Sequence, residues 1–377
     1  MPNVLIYADT VRTPELRQEI PHAVNDAFLY GETDGRRFAV VRSLEVARMR
    51  EIEGLEAIPE EELGLDDLQA DGMSVAEAHL ELALRACRRF ELDRAVIPPG
   101  FPTELADYLR AAGVELSVER DLFEQRRRKK TSVQVEGIRR AQRAADAANA
   151  AIAEMLRGAQ IEGDRVLLEG EPLTSERLKA AAGAAVTASG CSAEDFIVAH
   201  GAQTCIGHHH GSGEIAAGEP ITVDIWPRDA ATACFTDMTR TFVAGEVDDE
   251  LREYHRLCKA ALERALEAIR PGVLASEVYR VAAEVFEEAG QPTLLSKQPG
   301  TVLDEGFFHR LGHGVGLEVH EPPYLAPAGE EIVAGDVLAV EPGCYRQGFG
   351  GVRLEDTVLV TDDGVEVFGG YPYELEP

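Results

Sequence analysis

The apolar positions along the chain alternate between strand-like and helical periods, and the pattern divides near residue 128. Ahead of it come short strand-like runs: NVLIYAD (3–9), AFLYGET (27–33) and RFAVVRS (37–43). The last two are separated by Asp34-Gly35, a pair suited to a tight hairpin turn. From Ser74 to Phe90 the period becomes helical, with Ser74 as N-cap and Glu77 three positions on, which makes a capping box. AVIPPG (95–100) reads as another strand, closed by prolines and a glycine. The acidic stretch Glu60 to Asp67 reads as a solvated loop or helix face. This first part has the pattern of an α/β layer without a phosphate-type glycine loop.

From Thr131 to about Leu156 the chain turns into a long alanine-rich helical pattern with one apolar face. Further helices are predicted over Thr174 to Ser189, Asp249 to Ile269 and Ala275 to Ala289. They alternate with the strand-rich segments ITVDIW (221–226), ATACFTDMTRTFV (231–243), DVLAVEPG (336–343) and GVRLEDTVLVT (351–361). The pattern predicts two α/β (α+β) domains, residues 1–128 and 129–377. No short-period repeat suggests a solenoid.

Length and composition agree with two soluble domains. At 377 residues the chain exceeds one ordinary core, and 45% apolar residues suffice to build two. No apolar run approaches the roughly 18 residues of a membrane span. The start, MPNVLIYADTVR, lacks the basic-then-apolar form of a secretory signal, so a cytoplasmic protein is the expectation. A net charge of −30 argues against nucleic acid as a partner. The short basic run Arg126 to Lys130 falls at the domain junction. Cys87, Cys191, Cys205, Cys234, Cys258 and Cys344 form no C-x-x-C pair, and read as buried small residues in a reducing compartment.

The residues that suggest chemistry all lie in the second part. Asp224 sits mid-strand among apolar neighbours, where an unpaired carboxylate requires a cation or strong donors. Asp237 follows thirteen positions on, past a turn at Pro227-Arg228-Asp229, so a hairpin can bring both to one face. In HRLGHGVGLEVHE, glycines flank His313 and allow close backbone approach, with His309 and His320 on either side. Glu341 ends a strand just before Pro342-Gly343. Alternation in GVRLEDTVLVT places Arg353, Glu355 and Thr357 on one face. Four carboxylates and one imidazole suit a pair of divalent ions such as Mn²⁺, Co²⁺, Zn²⁺ or Fe²⁺ better than a thiolate zinc site. Five residues fill two coordination spheres only if carboxylates bridge, which leaves room for a hydroxide between the ions.

These segments, in this order, resemble the creatinase/methionine-aminopeptidase ("pita-bread") family, and within it the Xaa-Pro aminopeptidases and prolidases. The resemblance spans the whole second domain through TVDIWP, TDMTRTFV, LGHGVGLEVHE, AVEPG and GVRLEDT. It implies that Asp224 chelates one metal, that Asp237 and Glu355 bridge two, and that His313 and Glu341 hold the other. Glu341 would also shuttle a proton to the leaving amine. His208 in GHHHGSGEI, with His209 as the alternative, matches a catalytic histidine that would act with His320 on the scissile carbonyl. His309 matches a substrate-binding histidine, and Arg353 an arginine that orients Glu355 or a substrate group. The metals implied are two, manganese foremost. The substrates are peptides with proline second, and a homodimer is the family expectation.

The resemblance is weaker in the first domain, by position rather than motif, yet its presence argues against methionine aminopeptidase. The spacing of the two aspartates and Trp226 both depart from the usual pattern at the pocket rim. Alternatives within the fold are a broader aminopeptidase, a metal-free creatinase-like hydrolase and a catalytically silent binding module. All five ligands being present argues against the last two.

Overall fold

The computed structural model describes residues 2–377 and divides them into two compact units, the first ending at Arg127 and the second running from Arg128 to Pro377. The first unit is built on one six-stranded sheet. Its strands are β1 (Val4–Ala8), β2 (Phe28–Thr33), β3 (Arg36–Val41), β4 (Leu55–Pro59), β5 (Arg94–Ile97) and β6 (Glu115–Val118), in the order β4-β3-β2-β1-β5-β6. The helices are α1 (Pro14–Glu19), α2 (Ser43–Met49), α3 (Leu65–Ala70), α4 (Val75–Arg89), α5 (Thr103–Ala111) and α6 (Arg120–Arg128).

Strand alternation divides the core of this unit between two faces. Leu5, Leu29, Phe38 and Val40 join one cluster with Leu82 and Cys87 of α4. Val4, Ile6, Tyr30 and Ala39 join the other with Leu16 of α1. The capping box forms as the sequence indicates: the Glu77 backbone N–H donates to Ser74 Oγ, and the Ser74 N–H to the Glu77 carboxylate. Of the two readings of the acidic stretch, loop or helix face, the structure shows the helix face. Glu60–Leu63 makes a 3₁₀ turn leading into α3, because Leu63 and Leu68 reach the core while Glu61, Glu62, Asp66 and Asp67 stay at the surface.

In the second unit α7 (Ser132–Gly158) is the long alanine-rich helix, opened by a Thr131–Gln134 capping box. It packs on α8 (Ser175–Ala188), while α9 (Asp249–Ala268) packs on α10 (Ala275–Glu288). The strands are β7 (Gln160–Glu162), β8 (Arg165–Leu168), β9 (Glu171–Pro172), β10 (Cys191–Ser192), β11 (Ile197–His200), β12 (Pro220–Ile225), β13 (Arg228–Asp229) and β14 (Met238–Val243). They continue with β15 (Glu305–Gly306), β16 (Gly312–Gly314), β17 (Glu321–Leu325), β18 (Val337–Val340), β19 (Gly343–Arg346), β20 (Gly350–Arg353), β21 (Asp356–Val360) and β22 (Val365–Val367). Three antiparallel sheets, β11-β12-β14, β15-β19-β20 and β17-β16-β18-β21-β22, carry the polar residues of interest. One apolar cluster joins α7 and α8 to β12, and another joins α9 and α10 to β18 and β21.

Two strand expectations need correction. The segment 351–361 is not one strand: β20 and β21 belong to different sheets, and Leu354-Glu355 is the crossing point. Its backbone is held there by Leu354 N–H to Pro342 O and Glu355 N–H to Thr239 O. The segment 231–243 forms a strand only from Met238 on. Residues ahead of it make a tight turn in which Asp229 accepts hydrogen bonds from the Thr232 N–H and hydroxyl and from the Arg140 guanidinium. Gly137 of α7 permits this turn to dock, since a Cβ there would lie 2.0 Å from Thr232 Oγ1.

Candidate metal centre

Antiparallel pairing brings the acidic residues to one place. Asp224 on β12 pairs opposite Thr239 on β14, two positions after Asp237. Thr357 on β21 fixes Asp237, accepting from its N–H at 3.1 Å and donating to its carbonyl at 2.7 Å. Across the next sheet, His313 on β16 pairs with Ala339 on β18, whose following segment ends at Glu341. The glycines beside His313 are required by the pairing of β16 with β18 on one side and β17 on the other. A Cβ at Gly312 would lie 1.9 Å from Ala339 O, and one at Gly314 2.5 Å from Pro322 O.

Three overlapping sets of side chains place one donor atom each within 4.8 Å of the others: Asp224, Asp237 and Glu355; His313, Glu341 and Glu355; and Asp237, His313 and His320. The five residues singled out in the sequence thus converge, and His320 joins them at the edge. Asp237, His313 and Glu355 are buried, while Asp224 and Glu341 are half-buried. His313 Nε2 stands 3.8 Å from Asp237 Oδ2 and 3.7 Å from Glu341 Oε1. Its Nδ1 lies 3.1 Å from the Gly314 carbonyl, an acceptor, so Nδ1 carries the proton and Nε2 turns its lone pair into the space the carboxylates enclose. That tautomer is the one a metal ligand needs.

The electrostatics of the cluster favour a cation. Burial, then Glu355 and Asp224, push the Asp237 carboxyl well above the usual range. Burial, then Glu341 and Asp224, do the same to Glu355. Glu341 is pushed up to about 7, chiefly by burial. Burial holds His313 down to about 3, so its ring is neutral at ordinary pH. Glu355 Oε2 accepts a 2.6 Å hydrogen bond from Thr239, but its buried Oε1 has no hydrogen-bond partner. An oxygen-rich set with an orphaned buried carboxylate oxygen and an imidazole lone pair fits divalent ions of intermediate hardness.

A shell of donors surrounds the carboxylates. Arg353 donates to Asp224 Oδ2, to Thr239 Oγ1 at 3.2 Å and to the Tyr345 hydroxyl at 3.3 Å. His309 has its Nε2 2.9 Å from that same hydroxyl and its Nδ1 2.6 Å from the Arg310 carbonyl. Burial holds His309 down to about 4. Thr357 was read from the sequence on the face of Glu355, and Thr239, two positions after Asp237, was within reach of the same reasoning. Tyr345 had no such signal, since only the hairpin β19-β20 returns it to Arg353.

The cluster forms the floor of a cavity of about 800 Å³, walled by Trp226, Phe308, Tyr324 and Tyr345 among others. His208, His309 and His320 all line it. His209 is turned to its own loop, its Nδ1 accepting from the Gly211 N–H at 3.0 Å.

A model of metallopeptidase family M24 matches residues 136–362, more than half of the chain. The chain belongs to metallopeptidase family M24. Among M24 relatives, the probable dipeptidase PepE of Mycobacterium bovis is 33% identical over 273 residues, which are 70% of this chain and 64% of that protein. The match therefore spans a little under two thirds of the relative. The Xaa-Pro dipeptidase of Pyrococcus furiosus is 35% identical over 174 residues, 46% of this chain and 46% of that one. In fold, the chain matches the Xaa-Pro dipeptidase from Bacillus anthracis with a TM-score of 0.79 at 21% identity, over 99% of this chain and 94% of that one. The M24 fold is thus a mixed α/β one with a pita-bread unit, and M24 membership implies that the cluster binds divalent metal.

Proposed function

We propose that the chain is a dinuclear-metal peptidase that hydrolyses the bond between an N-terminal residue and a following proline. The observation that carries this is the convergence of Asp224, Asp237, His313, Glu341 and Glu355, with Glu355 Oε1 buried and unpartnered at its centre. In this reading Asp224 would serve one ion, His313 and Glu341 the other, and Asp237 and Glu355 would be shared by both. Two bound ions would supply Lewis-acid polarisation of the scissile carbonyl and make hydroxide available at neutral pH by lowering the pKa of a water. The names of relatives, a probable dipeptidase and an Xaa-Pro dipeptidase, support the substrate class.

The chain's own residues then divide the remaining work. Glu341, at the edge of the ion pair, would hold and move the proton that the leaving proline nitrogen requires. His208 and His320, from separate segments of the cavity wall, donate to the scissile carbonyl oxygen as negative charge develops on it. His309 has both ring nitrogens engaged, which supports its contact with substrate as a flat neutral wall against the proline ring. The donors of Arg353 are directed to Asp224, Thr239 and Tyr345, which supports orientation of a metal ligand over direct contact with the peptide.

Manganese is the metal this oxygen-rich set favours first, with cobalt, zinc and iron as alternatives. We further read residues 1–128 as a creatinase-type N-terminal domain, the assembly as a homodimer, and the compartment as the cytoplasm. All six cysteines being free and buried supports a reducing setting. The test is a length series of Ala-Pro, Ala-Pro-Ala and Ala-Ala peptides with Mn²⁺, Co²⁺ or Zn²⁺. Metal-dependent cleavage before proline is expected. No cleavage of either proline peptide with the site fully loaded would overturn the proposal.

A further inference from the structure

The loop that brings His208 to the cavity leaves β11 at His200 and rejoins the sheet at Pro220 of β12. Its far half is stitched back onto β11. The Val198 N–H donates to His210 O at 3.0 Å, and Gly211 lies so close that a Cβ there would be 1.7 Å from Val198 O. The Gln203 amide pairs with Ser212 at both ends, at 2.9 and 3.1 Å. Glu176, in the first turn of α8, accepts from the Gly213 N–H at 3.1 Å.

His200 sits beneath this loop, buried, at the end of β11. Its Nδ1 is 2.8 Å from Glu219 Oε2, and its Nε2 is 3.0 Å from Ser212 O. Both partners are acceptors. A neutral imidazole has one N–H, so only the doubly protonated ring donates to both. Glu219 is held in turn by the Ala216 N–H at 3.2 Å and packs under Gly201, where a Cβ would lie 2.5 Å from its carboxylate.

We propose that His200 is a positioning residue for His208, acting as a charged latch that ties the loop 201–213 back to the start of β12. The inference rests on the reading of His208 as the group that faces the scissile carbonyl. The charged groups facing His200 are Glu219, beside β12, and Glu176 from α8, and both favour the imidazolium. The hydrogen bond it donates to Glu219, opposed by burial, holds His200 above its ordinary value of 6.5. A folded value above the unfolded one means the latch is complete at pH below 6.5 and is lost as pH rises through the folded value.

Nitrogen-15 NMR of histidine-labelled, zinc-loaded protein reads the latch directly. Two protonated ring nitrogens on His200 at pH 6, with one lost by pH 9, are expected; a single protonated nitrogen at pH 6 overturns the proposal. Kinetics of His200→Gln on an Xaa-Pro peptide give a second reading. At pH 6 kcat should fall about tenfold with KM little changed, the size of one charged hydrogen bond, and the gap should close by pH 9. Equal kcat at pH 6, or a gap independent of pH, overturns it as well. If the unaltered protein cleaves no such peptide, the peptidase reading fails while the spectrum still decides the latch.

Discussion

Thr239 Oγ1 donates a 2.6 Å hydrogen bond to one oxygen of Glu355, while the other oxygen of the same buried carboxylate faces no donor. Half of Glu355 is therefore fixed by the protein and half is left to a cation. Glu355→Gln should abolish loading of the second ion and lower peptide cleavage by at least about a hundredfold. The same change should raise the melting temperature of the metal-free protein, because the amide is neutral without the cost of holding a proton on a buried carboxyl. Metal titration and thermal unfolding of the two proteins check both outcomes.

Metal binding should stabilise the fold by mass action. At a free metal concentration about a hundred times its Kd, the gain is about 2.7 kcal/mol per ion, provided the unfolded chain does not bind it. For a unit of this size that corresponds to a rise of several degrees in melting temperature, and a chelator should reverse it. Calorimetry with and without Mn²⁺ is the measurement.

The metal-free protein should show a pH trend set by Glu341. Its folded value of about 7 lies above the ordinary 4.5, so the folded state binds more protons than the unfolded chain between those values. Stability from this group is complete below about 4.5 and is lost as pH rises toward 7. Glu341→Gln should remove that component, which is on the order of 3 kcal/mol. Unfolding curves of the two metal-free proteins from pH 5 to 8 should converge at the acid end and separate toward the alkaline end, with the variant more stable. Metal affinity of the unaltered protein should rise over the same interval, since bound protons must leave.

Arg353→Lys keeps the charge but loses the planar fork that reaches Asp224, Thr239 and Tyr345 together. Metal affinity should fall about 10- to 100-fold, the usual effect of removing a residue that orients a ligand. At saturating metal KM should change little. A large KM increase under those conditions would mean that Arg353 contacts the peptide instead.

Much of this centre was legible in the sequence because strand alternation and glycine placement are local signals. Asp224 among apolar neighbours and His313 between two glycines both marked places where polar groups are held against backbone. The face shared by Arg353, Glu355 and Thr357 was read from a single strand, yet the chain changes sheets at Glu355. The shared orientation survives because the Thr239 carbonyl holds Glu355 and the Thr357 hydroxyl holds Asp237. Tyr345 and the His200–Glu219 pair were not legible, since each depends on where a hairpin or a loop returns. The turn expected at Pro227-Arg228-Asp229 lies slightly later: Arg228-Asp229 pairs with β10, and the reversal at 229–233 takes its shape from Arg140 and Gly137 on a distant helix.

The central claim is that five side chains hold two divalent ions that act on a peptide bond before proline. Its most direct measurement is metal stoichiometry taken together with Ala-Pro cleavage, as Mn²⁺ is titrated into chelator-stripped protein. Two ions bound per chain are expected, with cleavage rising as they load. Binding of no more than one ion, or undiminished cleavage by the stripped protein, would contradict it.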